Sequence, residues 1–357
     1  MSDRDGTEHV GWAAVGPPWG HEWQGAFHDH VFESEVLAGN PLGDPHRRPL
    51  TVYTPPAYAQ EPDRRFPVIY QIQGLTGQLD MWRNRKAFQK TVPETVDLAF
   101  SAPGQAPALV VSVDCWTSLG GSQFLDSPGT GRYLTYLCDE IIPWVDATYR
   151  TLPGARHRAV AGKSSGGYGA MVLPMLRPDR FGALATHAGD ALFEVCYAPD
   201  IAKAVRTLRD KYDGSFDAFW TAFHARTTTI QSSDYDPLNM WCMAACYSAD
   251  SDGTVRIPFD LDTGELIPEI WDRWLANDPV RMVAGHADAL RGLRGIWIDA
   301  GRKDEYFLDL GAEAFRRELD KIGVTAPIVQ FELVEGTHSD LEHRYPMALA
   351  WLAERIA

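Results

Sequence analysis

The stretch from His157 to Leu176 limits the possible folds of this chain more than any other feature of its sequence. It predicts a short apolar strand, a turn with the pattern G-x-S-x-G and a helix rich in Ala, Met and Leu. A serine on so tight a strand-to-helix turn needs neighbours without bulk, and Gly162 and Gly166 meet that need. Ser164, at the centre of the pattern, is therefore the candidate nucleophile of a catalytic site.

Other segments predict a sheet into which this unit fits. Alternating or continuously apolar runs predict strands at His28 to Leu37, Arg48 to Thr54, Phe66 to Gly74, Ala108 to Val113, Phe181 to Thr186, Gly295 to Asp299 and Ile328 to Val334. Helical spacing predicts helices at Met81 to Val96, at Arg132 to Arg150 with a kink at Pro143, at Asp309 to Ile322 and at Leu341 to Ile356. The first two strands are expected to form an antiparallel pair at one edge. The alternation of strands and helices predicts an α/β fold with a mostly parallel central sheet flanked by helices.

The predicted core is interrupted once. Residues 1–25 lack periodicity and are expected to form an N-terminal arm, and residues 26–189 supply the first part of the core. Regular alternation is lost over residues 190–293, an insertion after the sixth strand, and residues 294–357 complete the core. The insertion contains the aromatic residues Phe193, Tyr197, Phe219, Trp220, Phe223, Trp241, Tyr247, Trp271 and Trp274. We expect it to form a lid whose aromatic side chains wall a pocket over Ser164.

Charge and composition exclude several kinds of partner. The 357 residues carry a formal net charge of −15 without any run of Lys or Arg, which argues against binding to nucleic acid or an anionic membrane. No segment is long and apolar enough to span a bilayer and no apolar leader is present, so a soluble, cytoplasmic protein is expected. The five scattered cysteines are expected to be buried thiols. The sequence leaves the oligomeric state open, a homo-oligomer included.

Two late loops carry the candidates for the base and the acid that Ser164 needs. A serine hydroxyl is too weakly acidic to attack an ester unaided, so a histidine must accept its proton and a carboxylate must orient that histidine. In α/β-hydrolases the chain order is serine, acid, histidine, and the last two follow late strands. Asp304, in the loop after Gly295 to Asp299, is the predicted acid, and His338, in the loop after Ile328 to Val334, is the predicted base. The rivals are Asp299, Glu305 and Asp309 for the acid, and His343 and His286 for the base.

Two backbone N–H groups are candidates for the oxyanion hole, which stabilises the negative charge that develops on the carbonyl oxygen. One belongs to Ser165, the residue after the nucleophile. The other belongs to Leu75, because Gly74 lets the chain turn closely where the preceding strand ends.

Several segments resemble a known family. They are TVYTPPAY (51–58), PVIYQIQGLTG (67–77), SQFLDSPGTGRYLTYLCDEIIPWVDATYR (122–150), GKSSGGYGA (162–170), IDAGRKDEYF (298–307) and EGTHSDLEHRYP (335–346). Through them the chain resembles the Putative esterase family of α/β-hydrolases, which includes esterase D (S-formylglutathione hydrolase), enterochelin esterases, feruloyl esterases and mycolyltransferases. Two departures stand out: Ser165 occupies a position where many relatives have methionine, and Gln73 precedes Gly74 where they have a His-Gly pair. Substrate identity is therefore not carried over from the family.

These observations lead to one main hypothesis and two alternatives. The main hypothesis is a serine carboxylic ester hydrolase that forms an acyl-serine intermediate on small esters with short-to-medium or aromatic groups and needs no metal or organic cofactor. The first alternative is an acyltransferase that uses the same triad and passes the acyl group to an alcohol. The second is a non-catalytic binding module, which would usually have lost the triad.

Overall fold

An eight-stranded sheet lies at the centre of the computed structural model, which describes residues 21–226 and 230–357. The strands in chain order are β1 (Ala26–Glu33), β2 (Arg47–Thr54), β3 (Val68–Ile72), β4 (Leu109–Val113), β5 (Asp126–Ser127), β6 (Gly131–Arg132), β7 (Arg158–Ser164), β8 (Ala183–Gly189), β9 (Gly295–Gly301) and β10 (Val329–Val334). The short strands β5 and β6 pair only with each other. Most of the predicted N-terminal arm, residues 1–20, lies outside the described residues.

The sheet is parallel except at one edge. Its strand order is β1-β2-β4-β3-β7-β8-β9-β10; β2 pairs antiparallel with both β1 and β4, and every later pairing is parallel. The predicted α/β fold with a mostly parallel sheet is therefore confirmed. Strands β3 and β8 are buried along their whole length, which explains their continuous apolar runs, whereas β1 at the edge alternates in exposure.

Helices cover both faces of the sheet. They are α1 (Pro56–Gln60), α2 (Val92–Ser101), α3 (Tyr133–Thr135), α4 (Ile142–Thr148), α5 (Ser165–Leu176), α6 (Phe193–Cys196), α7 (Ala198–Tyr212), α8 (Phe216–Ala225), α9 (Tyr235–Tyr247), α10 (Pro268–Leu275), α11 (Pro279–Met282), α12 (Ala287–Arg291), α13 (Leu308–Lys321) and α14 (Arg344–Ile356). Helices α6 to α12 belong to the segment between β8 and β9. No helix among the described residues is both long and apolar enough to cross a membrane.

Two apolar clusters hold these layers together. On one face, α2 and α14 bury side chains such as Phe100 and Leu352 against Ile69 of the sheet. On the other face, α4, α5 and α13 form a larger cluster, which the helices between β8 and β9 extend through residues such as Phe193 and Trp274. Burial of apolar surface is the main favourable contribution to folding. The segment after the sixth strand of the sheet therefore shares a core with the sheet.

The predicted helix from Met81 to Val96 is wrong. Helix α2 begins only at Val92, with Thr91 as its N-terminal cap: the Thr91 N–H donates to Glu94 Oε2 at 2.7 Å, and the Glu94 N–H donates to Thr91 Oγ1. Pro93 lies in the first helical turn, where its missing N–H costs nothing. The proline therefore helps to start this helix.

The predicted helix from Arg132 to Arg150 is present in three parts. A π-helical stretch, Tyr136–Ile141, separates α3 from α4, and Pro143 lies in the first turn of α4. A proline has no N–H for the hydrogen bond to the preceding turn, and a wider turn before it accommodates the ring. The irregularity thus precedes Pro143 by a turn.

Candidate active site

Ser164 occupies a sharp turn between β7 and α5. Its backbone has φ 58° and ψ −128°, a left-handed conformation that non-glycine residues rarely adopt. A Cβ atom on Gly166 would lie 2.6 Å from the Ile72 carbonyl oxygen, and one on Gly162 would overlap the Gly166 carbonyl oxygen. Both glycines are therefore required by close backbone contacts, which let the turn expose the Ser164 side chain where the strand ends.

His338 and Asp304 lie in the loops that follow β10 and β9. The His338 Nδ1 atom is 2.8 Å from Asp304 Oδ2, and the other oxygen of Asp304 accepts the Tyr306 N–H at 2.9 Å. The backbone N–H of His338 donates to Glu305 Oε2 at 2.9 Å. The Asp304 side chain is fully buried, whereas that of His338 is 13% exposed. Asp304 is therefore fixed behind the imidazole, and the opposite side of the ring remains accessible.

One cavity of about 860 Å³ brings the predicted site residues together. Ser164, Ser165, Leu75 and His338 all line it, and Asp304 lies behind His338. Among the described residues no hydrogen bond joins the Ser164 hydroxyl to His338. Catalytic hydrogen bonds are often long before substrate binds, so a long distance between the serine and the histidine does not argue against their cooperation. The two side chains need only line the same cavity.

The loop after β3 passes directly over the nucleophile. A Cβ atom on Gly74 would lie 3.0 Å from the Lys163 carbonyl oxygen and 3.2 Å from Ser164 Cβ. The N–H of Leu75 donates to no acceptor in the described part of the chain, while the next N–H, of Thr76, donates to the Gly120 carbonyl oxygen at 2.7 Å. Ser165 is the first residue of α5, where N–H groups have no intrahelical partner. Both N–H groups that the sequence proposes for an oxyanion hole therefore lie beside Ser164 without a competing acceptor.

Asp299, the nearest rival acid within the strand, does not reach this cavity. It is fully buried inside β9 and accepts hydrogen bonds from His187 Nδ1 at 2.6 Å, Trp297 Nε1 at 2.6 Å and Arg344 Nε at 2.9 Å. Burial alone would raise the pKa of Asp299, but the charge of His187 and these three donors hold it below its usual value. Of the other rivals, Glu305 accepts the backbone N–H of His338, and Asp309 lies in the first turn of α13.

Asp190 and Lys163 are charged residues of the cavity wall that were not predicted as site residues. Asp190 follows β8 directly, at the same end of the sheet as Ser164, and its signal was its place at the carboxyl end of a parallel strand. Lys163 immediately precedes Ser164 in the turn. Burial lowers the pKa of its amine, and the side chain forms no ion pair within the described residues. Both line the same cavity as Ser164.

The aromatic residues between β8 and β9 line the cavity less than expected. Of the nine named in the sequence analysis, Tyr197 lies in its wall. Others pack on one another, as Phe219 does with Trp220 and Phe223. The cavity wall also includes two exposed rings outside those nine, Tyr235 from the same segment and Tyr306 from the loop after β9. In residues 21–226 and 230–357 no group of three or more His, Cys, Asp or Glu side chains is arranged to hold a metal ion.

Comparison with known proteins agrees with this architecture. The solved structure of a ferulic acid esterase is 18% identical with a TM-score of 0.60 and covers 94% of this chain and 100% of that chain. An S-formylglutathione hydrolase from Agrobacterium tumefaciens is 14% identical with a TM-score of 0.55, over 95% of this chain and 98% of that chain. At such low identity these similarities establish the fold alone.

Sequence comparison establishes the family. An uncharacterized protein of Corynebacterium glutamicum is 24% identical over 172 residues, which are 48% of this chain but only 38% of that protein, so this chain spans well under two-thirds of its length. The sequence model described as Putative esterase matches residues 45–321, which is most of the chain. The chain therefore belongs to the Putative esterase family and has the α/β-hydrolase fold.

Proposed function

We propose that this protein is a serine carboxylic ester hydrolase that works through an acyl-serine intermediate. One observation carries the proposal: the cavity that exposes Ser164 on its strained turn also contains His338, whose Nδ1 atom is 2.8 Å from Asp304. A nucleophile, a base and an orienting carboxylate, contributed by three separate loops, are the parts that acyl transfer by serine requires.

The proposed reaction has two halves. Ser164 Oγ attacks the ester carbonyl carbon while His338 Nε2 accepts its proton, and the N–H groups of Leu75 and Ser165 stabilise the oxyanion. His338 then returns that proton to the leaving alcohol as the carbon–oxygen bond breaks, which leaves an acyl-Ser164 ester. In the second half a water molecule loses a proton to His338 and attacks this ester, and Ser164 regains its proton as the acid departs. Asp304 keeps the imidazole in the tautomer with its proton on Nδ1 and stabilises the imidazolium.

The cavity supports small esters as substrates. Its volume of about 860 Å³ lies within the usual range for small-molecule sites. Apolar side chains such as Leu75, Met81 and Val92 line it together with the polar groups described above. Residues 190–293, which we propose act as a lid, contribute Tyr197 and Tyr235 to its wall. We infer that short-to-medium or aromatic esters fit and that long flexible acyl chains do not.

A pair of serine variants tests the nucleophile. Ser164→Ala should lose ester turnover and labelling by a fluorophosphonate, because its only reactive oxygen is gone, while its melting temperature stays within a few degrees. Ser339→Ala is the matched control, since Ser339 lines the same cavity in the loop that carries His338. It should keep both turnover and labelling. Full labelling of Ser164→Ala, located by peptide mapping at another residue, would overturn the proposal.

A series of p-nitrophenyl esters tests the substrate class. We expect kcat/KM to be highest for acyl groups of about two to six carbons, since each methylene inside the cavity gains at most about 1 kcal/mol and bulk beyond its wall is excluded. A rate that keeps rising with longer chains would contradict this size limit. If an added alcohol accepts the acyl group faster than water does, the acyltransferase alternative is correct instead.

A further inference from the structure

Asp190 is a buried carboxyl group in the wall of the catalytic cavity that the triad does not use. It follows β8, is 6% exposed, and its backbone N–H lies 3.4 Å from the Ser164 carbonyl oxygen. Three donors converge on Oδ2: Tyr197 OH at 2.9 Å, Ser165 Oγ at 3.0 Å and Gln123 Nε2 at 3.3 Å. The carboxyl group is thus connected to the residue that follows the nucleophile.

The second carboxyl oxygen of Asp190 has no such partner. Among the described residues nothing donates a hydrogen bond to Oδ1, although the side chain is more than nine-tenths buried. Burial raises the pKa of Asp190, while the hydrogen bonds from Tyr197, Ser165 and Gln123 act in the opposite direction and favour its charged form. Oδ1 is not enclosed by protein, and because Asp190 lines the cavity, a donor group on a bound molecule can reach it.

The surroundings of Asp190 hold it in one orientation. Gln123 Nε2 also donates to Tyr247 OH at 2.8 Å, and the rings of Tyr197 and Tyr247 each pack 5.5 Å from Trp274. Gln123 lies in a segment with a left-handed backbone, at φ 49°, so the loop is strained at this point. Supporting contacts of this kind are typical of groups that position a ligand.

We propose that Asp190 Oδ1 accepts a hydrogen bond from a hydroxyl or ammonium group that the substrate carries close to its ester carbonyl. This inference rests on the proposed function, in which the N–H of Ser165 donates to the ester carbonyl oxygen. The side-chain hydroxyl of the same residue donates a hydrogen bond to Asp190. A donor at Oδ1 must therefore lie within a few bonds of the carbonyl carbon. The preferred esters are those with a hydroxyl or amino substituent there, ahead of plain alkyl esters of the same size.

Small esters that are similar in size but differ in hydrogen bonding test this inference. We would measure kcat/KM for p-nitrophenyl hydroxyacetate, glycinate, methoxyacetate and propionate, and divide each value by the rate of hydroxide-catalysed hydrolysis of the same ester to remove intrinsic reactivity. The wild-type enzyme should favour hydroxyacetate or glycinate over propionate by about tenfold or more, the usual effect of one hydrogen bond to a charged group. The corrected kcat/KM of methoxyacetate, which has no hydrogen-bond donor, should not exceed that of propionate.

Two variants show whether Asp190 causes the preference. In Asp190→Asn the amide oxygen can still accept hydrogen bonds from Tyr197, Ser165 and Gln123, so the NH2 group turns to the cavity. The higher corrected kcat/KM of hydroxyacetate and glycinate should then disappear. The corrected kcat/KM of methoxyacetate, which can accept a hydrogen bond from the NH2 group, should rise. Asp200→Asn is the matched control. Asp200 lines the same cavity, but both its oxygens already have partners, Lys203 Nζ at 2.9 Å and Asn239 Nδ2 at 3.3 Å. Its substitution should leave the ratio between esters unchanged.

The outcomes separate this inference from the proposed function. Equal corrected kcat/KM values for all four esters in the wild-type enzyme would overturn the proposed role of Asp190. An Asp190→Asn variant that slows the hydrolysis of every ester by the same factor would overturn it too, because a uniform loss indicates a structural role. In either case normal fluorophosphonate labelling of Ser164 would leave the ester hydrolase intact. Turnover that survives in Ser164→Ala would instead remove the proposed function.

Discussion

The strand β9 and the loop after it supply the aspartates of two aspartate–histidine pairs, and only one of these pairs faces the cavity. Asp299 pairs with His187 Nδ1 at 2.6 Å, and Asp304 pairs with His338 Nδ1 at 2.8 Å. The contact itself is nearly the same in both. What differs is the surroundings of each pair, and these decide which pair can take part in a reaction.

The Asp299 pair is closed on every side. His187 is 2% exposed and packs 4.9 Å from the ring of Tyr345, and Asp299 also accepts from Trp297 and from the guanidinium of Arg344. The carboxylate is thus already neutralised by a buried cation, and the imidazole has no access to a substrate. Such a pair can contribute to stability but cannot transfer a proton to or from the cavity.

The Asp304 pair is open on one side. The second oxygen of Asp304 accepts only backbone N–H groups, the nearer from Tyr306, and no cation pairs with it among the described residues. Its negative charge is therefore available to stabilise His338 when the imidazole becomes protonated. The accessible side of His338 faces the cavity that contains Ser164. An Asp–His contact can therefore serve in catalysis only when the histidine has access to a nucleophile.

The largest expected effect separates the two pairs by activity. Asp304→Asn should lower kcat by a factor on the order of 10³ to 10⁴, because an amide holds the imidazole in the wrong tautomer. The melting temperature should change little. Steady-state kinetics on p-nitrophenyl acetate provides the measurement, with Asp299→Asn as control, which should retain kcat within a few fold. The reverse ranking would assign the catalytic role to Asp299.

The next effect separates the pairs by stability. Asp299→Asn should lower the free energy of unfolding by about 3 kcal/mol, since it leaves Arg344 and its neighbours partly uncompensated in a buried site. Arg344 Nη2 also donates to Glu332 Oε2 at 2.6 Å, and this remaining ion pair limits the loss in unfolding free energy. Denaturant titration followed by circular dichroism measures it. If Asp304→Asn destabilises the protein as much as Asp299→Asn does, the distinction between a structural and a catalytic pair fails.

The pH dependence of stability sharpens the same distinction. Asp299 has a pKa below its usual value in the folded protein, so its charged form stabilises the fold above the unfolded-state pKa of about 4, and that contribution is lost as the pH falls through the folded-state value. The difference in melting temperature between the wild type and Asp299→Asn should therefore be constant between about pH 5 and 8 and shrink below about pH 4. A difference that grows on acidification would contradict this assignment.

The sequence was sufficient for the sheet and for part of the site, but not for the two pairs. Apolar runs and the G-x-S-x-G turn are local signals, so β3, β7 and the position of Ser164 could be predicted. The contact of His187 with Asp299 depends on the register of β8 against β9, which sets these two residues side by side and which no local pattern encodes. The hydrogen bond of Asp190 with Gln123 was hidden for the same reason, since Gln123 lies in a distant segment of the chain.

The smallest expected effect concerns Glu305, the neighbour of Asp304 and its rival for the role of the acid. Glu305 Oε2 accepts the backbone N–H of His338 at 2.9 Å, while the imidazole itself contacts Asp304. In Glu305→Gln an amide oxygen can still accept that N–H, so kcat should fall by less than about threefold, which corresponds to a few tenths of a kcal/mol in the barrier. Glu305→Ala removes the acceptor and should cost no more than about tenfold, since one net hydrogen bond is worth about 1 kcal/mol. Both variants would be measured beside Asp304→Asn with the same ester. A loss in Glu305→Gln as large as that in Asp304→Asn would mean that Glu305 orients His338 during catalysis, and the open pair would then be His338 with Glu305.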